Sequence, residues 1–208
     1  DKKAIHGKIA KILGAETARE VHKNCTKSKY KIFDIQKKKS TRNPPAPFTT
    51  STMQQEASRK LGMSIQRTMT AAQKLYENGK ITYLRTDSVN LSDEAMKNIK
   101  DYIVKKFGAK DYREMKYKQK KSNTQEAHEA VRPTNVDVLD PNSVNNDETR
   151  LYSLIWKRTI ASQMKPAEFD VMTIVIKADN FSSYYFQSTM QTLVYAGYLQ
   201  VYNIINVQ

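Results

Sequence analysis

Residues 81–88 read Ile-Thr-Tyr-Leu-Arg-Thr-Asp-Ser, a short run with the β-branched, alternating character of a strand. Side chains alternate sides along an extended chain, so Tyr83, Arg85 and Asp87 are predicted to project from one face. Positive charge favours the phenolate that a tyrosine needs to attack a phosphodiester, and an arginine fork also binds phosphate oxygens. Tyr83 is therefore the candidate nucleophile. The alternative is a tyrosine and an arginine on an ordinary half-buried strand.

Two predicted helices precede this run. In the first, Ser51 and Gln54 have the spacing of a capping box, and Gly62 supplies the stop. Ser64 is predicted to cap the second helix, which ends at Asn78-Gly79. A helix, a short turn, a second helix and a strand form the pattern of a helix-turn-helix or winged-helix module.

The remaining elements complete an α+β pattern. Ser92 is predicted to cap a helix that Gly108 closes. Further helices are predicted at 15–24 and 147–164, and strands at 4–12, 29–35, 169–178, 184–190 and 198–202. Because the ends of the chain are strand-rich and its middle is helical, we expect a helical, winged-helix-like domain, residues 45–146, inserted into a β-rich domain. The halves of the β-rich domain would be 1–44 and 147–208, and the proline-rich stretch 43–47 marks the first boundary.

Composition narrows the class of partner and the compartment. The 208 residues carry a net charge of +14, which favours an acidic polymer such as nucleic acid over a neutral small substrate. A single cysteine, Cys25, excludes an internal disulfide and fits a reducing compartment, so a cytoplasmic protein without membrane contact is predicted. The sequence contains no apolar run of membrane-spanning length. It starts at Asp1 rather than Met, which suggests a piece of a longer protein.

A basic stretch lies between the predicted helix that ends at Gly108 and the next motif. Lys118 and Lys120 stand beside Tyr117, so the segment could follow a single nucleic-acid strand by charge and stacking. A mobile surface loop is the alternative.

A dense polar segment follows at 125–134 and begins with Gln125. If it is helical, His128 and Arg132 share a face and could grip one phosphate. Pro133 ends any such helix. The alternative is an ordinary solvated helix end.

Three of these stretches, 43–57, 81–88 and 125–134, resemble type IA DNA topoisomerases and occur in the order of that family. A softer match lies at 154–164. The version of each motif is closer to bacterial topoisomerase I than to topoisomerase III, in which a proline commonly follows the tyrosine where this chain has Leu84. The resemblance covers most of the chain. It implies a fragment that carries the active-site tyrosine domain and the β-rich arch domain.

The resemblance also implies roles for individual residues. Tyr83 would form a transient link to a DNA 5′-phosphate, Arg85 would stabilise the phosphate in the transition state, and His128 would contact it. Weaker candidates for DNA contact are Arg132, Asp87, Gln125, Lys118 and Lys120. Such an enzyme cleaves and rejoins one strand, chiefly of single-stranded DNA, and relaxes negative supercoils.

The family's metal-binding cluster has no counterpart here, since no two aspartates of this chain stand two residues apart. Mg²⁺ is therefore expected to be held outside this chain, by a missing metal-binding domain of the same enzyme. The fragment alone is expected to be inactive.

A second class of function stays open, a non-catalytic winged-helix module that binds DNA. Such a module would need base-reading side chains on its second helix, where Gln66, Arg67 and Gln73 are the candidates. It would need neither the Tyr83 run nor the His128 segment. Those two motifs favour the topoisomerase interpretation.

Overall fold

The computed structural model of the chain describes residues 14–117, 129–143, 145–179 and 181–203. The helices are α1 (Ala15–Thr26), α2 (Thr50–Leu61), α3 (Ile65–Glu77), α4 (Asp93–Phe107), α5 (Asn146–Ser162) and α6 (Gln200–Asn203). The strands are β1 (Tyr30–Arg42), β2 (Ala167–Ala178) and β3 (Phe181–Tyr195), and short 3₁₀ turns lie at Ala109–Asp111 and Gly197–Leu199. The α+β class is as predicted. No helix in these ranges is long and apolar enough to cross a membrane.

Contacts divide the chain into two compact units. The first holds Asp170–Thr192 together with the residues up to Ser40, and the second holds Thr41–Phe169 together with the residues from Leu193 onward. The predicted boundary between residues 44 and 45 lies near the observed division between Ser40 and Thr41. The predicted boundary between residues 146 and 147 differs from the observed division between Phe169 and Asp170. The difference arises because α5 packs against α3 and α2, whereas the sequence analysis grouped it with the strands.

The first unit is built on a three-stranded sheet with β2 between β1 and β3. Val171 and Val175 of β2 are buried. Aromatic side chains of the outer strands meet in pairs, at ring-centroid distances of 5.7 Å for Tyr30 with Phe186 and 5.4 Å for Phe33 with Tyr185. The predicted strand at 4–12 lies outside the described residues.

The predicted strand at 198–202 is wrong. Residues 197–203 form a 3₁₀ turn and a short helix, and the buried side chains of Tyr198 and Val201 are three residues apart, as on a helix. The turn is fixed at Gly197, whose φ is +49° and where a Cβ would lie 2.4 Å from the Pro166 carbonyl oxygen. Tyr198 N–H donates to the carbonyl of Lys165. The residues that alternate like a strand in the sequence therefore form a tight helical turn.

The second unit is organised around α5. The Trp156 ring is fully buried, meets the Tyr102 ring edge-on at 5.4 Å, and donates its indole N–H to the Val136 carbonyl. Ser64 and Ser92 cap α3 and α4 as predicted.

The capping box of α2 was placed wrongly. Thr49 is the N-cap, and Thr52 completes the box with it. The Ser51 and Gln54 pair matches the usual Ser/Thr-x-x-Glu/Gln pattern of a capping box, whereas Thr49 and Thr52 do not. The structure places Ser51 and Gln54 inside the helix instead.

Arg158 of α5 joins the start of this unit to α2. Its guanidinium donates to the Ala46 carbonyl and, at 2.7 Å, to Oε2 of Glu56, and it lies 4.7 Å from the centre of the Phe48 ring. The Arg158 and Glu56 side chains are only 13% and 7% exposed. Glu56 also accepts a contact from Lys60 at 2.6 Å. The buried Arg158 guanidinium, bonded to α2 and to Ala46, therefore holds the proline-rich stretch in place.

We expect Arg158→Ala to lower the free energy of unfolding by about 2 kcal/mol or more, because the carbonyl of Ala46 loses its donor and a buried ion pair is broken. Arg59→Ala is the matched control. Its side chain is 74% exposed and its Nη2 lies 3.8 Å from Oε2 of the same Glu56, a long and solvated contact, so a change within about 0.5 kcal/mol is expected. Urea denaturation of the two variants measures the difference, and equal losses would contradict this account.

Candidate active site

Residues 81–88 are extended but are not a strand of the sheet. Their one β-bridge within the described part of the chain joins Ile81 to Pro133. Side-chain burial nevertheless alternates as predicted for a strand. Leu84, Thr86 and Ser88 are buried, whereas Tyr83, Arg85 and Asp87 are exposed. The side-chain prediction is thus reproduced without a strand ladder.

Thr50, the first residue of α2, takes the place of a partner strand. Its hydroxyl donates to the carbonyl of Leu84 at 2.7 Å and accepts from the N–H of Thr86 at 2.9 Å. Its own N–H donates to the carbonyl of Thr86 at 2.9 Å. The backbone on both sides of Arg85 is therefore bound to the start of a helix.

Residues 129–134 hold the other end of the run. The N–H of Thr82 donates to the carbonyl of Arg132 at 2.9 Å, and the Thr82 hydroxyl donates to the carbonyl of Ala130 at 2.7 Å. Val131 in turn bridges Phe48. The described part of this segment, 129–134, is not helical, so the condition under which His128 and Arg132 would share a helix face is not met there. The segment is extended because its backbone pairs with two neighbouring stretches.

Arg132 is largely buried and has protein partners. Its Nη2 lies 2.7 Å from Oε2 of Glu129, its Nη1 donates to the Pro133 carbonyl, and its side chain is 16% exposed. Glu129 also accepts from the N–H of Ser92 at the start of α4, at 2.6 Å. Burial alone would raise the pKa of Glu129, but the hydrogen bonds from Ser92 and the Arg132 charge outweigh it and lower the pKa. Arg132 thus anchors the site's framework through Glu129.

Unlike Arg132, Tyr83 and Arg85 have exposed side chains. The Tyr83 ring packs edge-on against the Tyr76 ring of α3 at 5.3 Å, and its side chain stays 44% exposed. Within the described ranges neither the Tyr83 hydroxyl nor the Arg85 guanidinium has a hydrogen bond or ion pair. A phenol and a guanidinium two residues apart are thus presented to solvent from a fixed backbone.

Comparison with known proteins identifies the family. A family profile described as "DNA topoisomerase" matches residues 2–207. A protein of Acanthamoeba polyphaga mimivirus, "DNA topoisomerase 1 type prokaryotic", is 50% identical over 188 residues, or 86% of this chain and 22% of that protein. "DNA topoisomerase 1" of Escherichia coli is 44% identical over 74% of this chain and 18% of its own length. The chain belongs to the type IA DNA topoisomerases.

The fold agrees with this assignment. The structure of full-length topoisomerase I from Thermotoga maritima matches with a TM-score of 0.76 and 35% identity, over 94% of this chain and 33% of that one. The chain spans about a fifth of the length of the curated relatives named above. The three stretches that resemble the family meet in this topoisomerase chain, since Phe48 pairs with Val131 and Thr50 with Thr86.

His128, Gln125, Lys118 and Lys120 lie outside the described residues. Their neighbour Tyr117 is described. Its hydroxyl donates to the Ser162 carbonyl at 2.8 Å, and burial is the main cause that raises its pKa to about 12. Tyr117 therefore anchors the segment to α5, whereas the sequence analysis offered it as a surface for base stacking.

The described residues do not fit a magnesium site. No three His, Cys, Asp or Glu side chains among them converge as metal ligands.

Sequence reasoning missed Thr50 and Glu129 as supports of the site. The sequence feature that could have identified Thr50 is the pair Thr49-Thr50 at the start of a helix, because hydroxyl groups there often bind backbone N–H and C=O groups that lack a partner in the helix. Glu129 gave no such signal. Its partner Ser92 is 37 residues away in sequence.

Thr50→Val keeps the size of the side chain and removes the hydroxyl that binds Thr86. We expect amide hydrogen exchange at Thr86 to become about tenfold faster, the equivalent of one lost hydrogen bond. Ser51→Ala removes an exposed hydroxyl whose hydrogen-bond partner, within the described part of the chain, is Thr49, and should leave this amide unchanged. NMR-detected exchange compares the two variants. Unchanged protection in Thr50→Val would show that Thr50 does not hold the segment.

Proposed function

We propose that this chain is the nucleophile-bearing part of an enzyme that cleaves and rejoins one DNA strand. The phenolic oxygen of Tyr83 attacks the scissile phosphorus, and the bond from phosphorus to the 3′ oxygen breaks. The phenol loses its proton and the 3′ oxygen gains one, which leaves a 5′-phosphotyrosine and a 3′ hydroxyl. The supporting observation is that Tyr83 and Arg85 are exposed on a segment whose intervening residues are buried.

Arg85 is the residue best suited to bind the scissile phosphate. Its guanidinium has no protein partner in the described part of the chain, so phosphate oxygens need not compete with a carboxylate. A bidentate fork neutralises charge on the phosphoryl oxygens as the phenolate attacks. The fixed backbone at Leu84 and Thr86 limits the positions that Arg85 can take.

Resealing is the reverse attack, by the 3′ hydroxyl on the phosphotyrosine. Passage of a strand through the opened gap would change the linking number and relax negative supercoils. In this proposal the substrate is chiefly single-stranded DNA, and the chain works with the rest of a longer enzyme. That remainder would supply a domain that holds Mg²⁺ and the leaving 3′ oxygen. His128 would contact the phosphate, and the enzyme would act in the cytoplasm.

The recognition-module alternative is disfavoured by the contacts of α3. Arg67, the strongest base-reading candidate there, is bound bidentately to Asp147 at 3.0 and 2.8 Å. A guanidinium so paired is not presented to a base edge. The chain offers no other arginine on α3.

Tyr83→Phe removes one hydroxyl and no charge. In the longer enzyme that contains this chain, we expect it to abolish the covalent protein–DNA adduct and leave oligonucleotide affinity within about twofold, because backbone charge dominates affinity. Tyr76→Phe is the matched control, since the two rings touch and Tyr76 is also exposed. Denaturing gels of a labelled oligonucleotide detect the adduct. An adduct that persists in Tyr83→Phe refutes the proposal.

Arg85→Ala should slow cleavage by about a hundredfold or more, the cost of losing one positioned donor in a transition state. Arg85→Lys should recover only part of the rate, because an ammonium lacks the planar fork. Stability should change by less than about 0.5 kcal/mol in both variants, since an exposed, unpaired side chain carries little packing. Single-turnover cleavage and urea denaturation measure the two effects. A full rescue by lysine would contradict the bidentate role.

A further inference from the structure

A groove of about 960 Å³ lies between the end of α3 and the start of α5, and we call it the α5 groove. Lys74 and Lys80 line it on the α3 side. Amide side chains line the other side, contributed by Asn142, Asn145 and Asn146. The groove is as large as the clefts in which proteins bind small ligands.

Lys80 offers a fixed and unpaired positive charge to this groove. It directly precedes the segment that carries Tyr83. Its N–H donates to the Leu75 carbonyl at 2.8 Å, and its carbonyl accepts from the N–H of Thr134 at 3.0 Å. Within the described ranges the Lys80 ammonium has no hydrogen bond or ion pair. An anion that enters the groove therefore does not have to displace a carboxylate of the protein from Lys80.

Lys74 is held only loosely by its protein partner. Its side chain is 53% exposed, and its Nζ lies 3.9 Å from Oε1 of Glu148, which is too long for a hydrogen bond. The Glu148 side chain is 6% exposed, and its Oε2 accepts from the Ser143 hydroxyl at 2.6 Å. Glu148 is the one carboxylate among the described residues that line the groove. The groove therefore presents two ammonium groups and neutral amides to solvent, which suits a phosphate.

The α5 groove adjoins the candidate active site through Lys74. A second groove, of about 590 Å³, lies between Arg85 and α3, and Lys74 lines it as well. A third groove, of about 210 Å³, is lined by Lys74 and Asn145, both of which also line the α5 groove. A DNA strand whose phosphate is bound by Arg85 can therefore continue past Lys74 into the α5 groove.

The acids along this route are already bound by protein groups. Asp147, in the smallest groove, accepts two hydrogen bonds from the guanidinium of Arg67. Glu77, in the groove beside Arg85, accepts from Nε2 of Gln73 at 2.8 Å. Glu77 keeps its charge and repels a phosphate that comes close to it. The phosphates of the strand are therefore expected at the lysines.

We propose that Lys74 and Lys80 bind phosphates of the cleaved DNA strand on one side of the phosphate held by Arg85. This inference rests on the proposed function. The amides of the α5 groove can both donate and accept, so they meet any base and impose no sequence. Lys74 and Lys80 are thus positioning residues, which hold the strand and do not touch the reacting atoms.

The first test measures how the oligonucleotide affinity of the longer enzyme depends on salt, in a Tyr83→Phe background so that cleavage does not intervene. Each phosphate contact with a single strand contributes about 0.7 to the slope of log K against log salt. Lys74→Gln and Lys80→Gln should each reduce the slope by about 0.7, and the double variant by about 1.4. Lys74→Arg keeps the charge and should keep the slope.

Lys106→Gln is the matched control. It removes an exposed lysine in the last turn of α4 that lines none of these three grooves, so the slope should not change. If the control lowers the slope as much as Lys74→Gln does, or if the double variant keeps the original slope, the inference is wrong.

The second test locates the contacts on the DNA. A single neutral methylphosphonate linkage is placed in turn at each position around the scissile phosphate. Binding should weaken by about threefold or more at two linkages on the same side of that phosphate. Lys74→Gln should be insensitive at one of these linkages and Lys80→Gln at the other.

The same pattern of sensitivity in the variants and in the parent enzyme would overturn the inference. If the enzyme that keeps Tyr83 still forms the covalent adduct, the proposed function stands without it. Absence of that adduct would overturn both.

Discussion

The mutual pairing of Thr50 with Thr86 is the constraint on which the site depends. An extended segment outside a sheet has no ladder to satisfy its N–H and C=O groups, and buried unpaired groups are costly. Here the start of α2 supplies those partners on one side and residues 130–132 supply them on the other. The segment can therefore alternate buried and exposed side chains like a strand while both flanks of Arg85 stay fixed.

The arginines of the second unit show which positive charges are available for a ligand. Arg67, Arg132 and Arg158 each bind a carboxylate within the protein. Each of these pairs joins segments distant in sequence or fixes a loop, which is a structural role. Arg85 has no such partner among the described residues, although the backbone on both sides of it is bonded to Thr50. The chain has many positively charged side chains, with a net charge of +14. Those that are paired with a carboxylate of the protein have a structural role, and those that are not are available to bind phosphate.

Local patterns in the sequence predicted much of this structure. The caps at Ser64 and Ser92 and the alternation through Tyr83 and Arg85 depend on neighbouring residues, and local chemistry specifies them. The predictions that failed depend on distant partners. Residues 198–202 alternate like a strand but turn at Gly197, and residues 129–134 have helical spacing but pair with two remote stretches. Thr50 was missed for the same reason, because its partners are 34 and 36 residues away.

The central claim is that Tyr83 is the residue that becomes linked to DNA. The most direct test is to trap the covalent adduct of the longer enzyme on an oligonucleotide, digest the protein, and identify the linked peptide by mass spectrometry. The account predicts a 5′-phosphate joined to the peptide that contains Tyr83, among the 12 tyrosines of the chain. A link to Tyr76, whose ring touches that of Tyr83, or to any other tyrosine would contradict it.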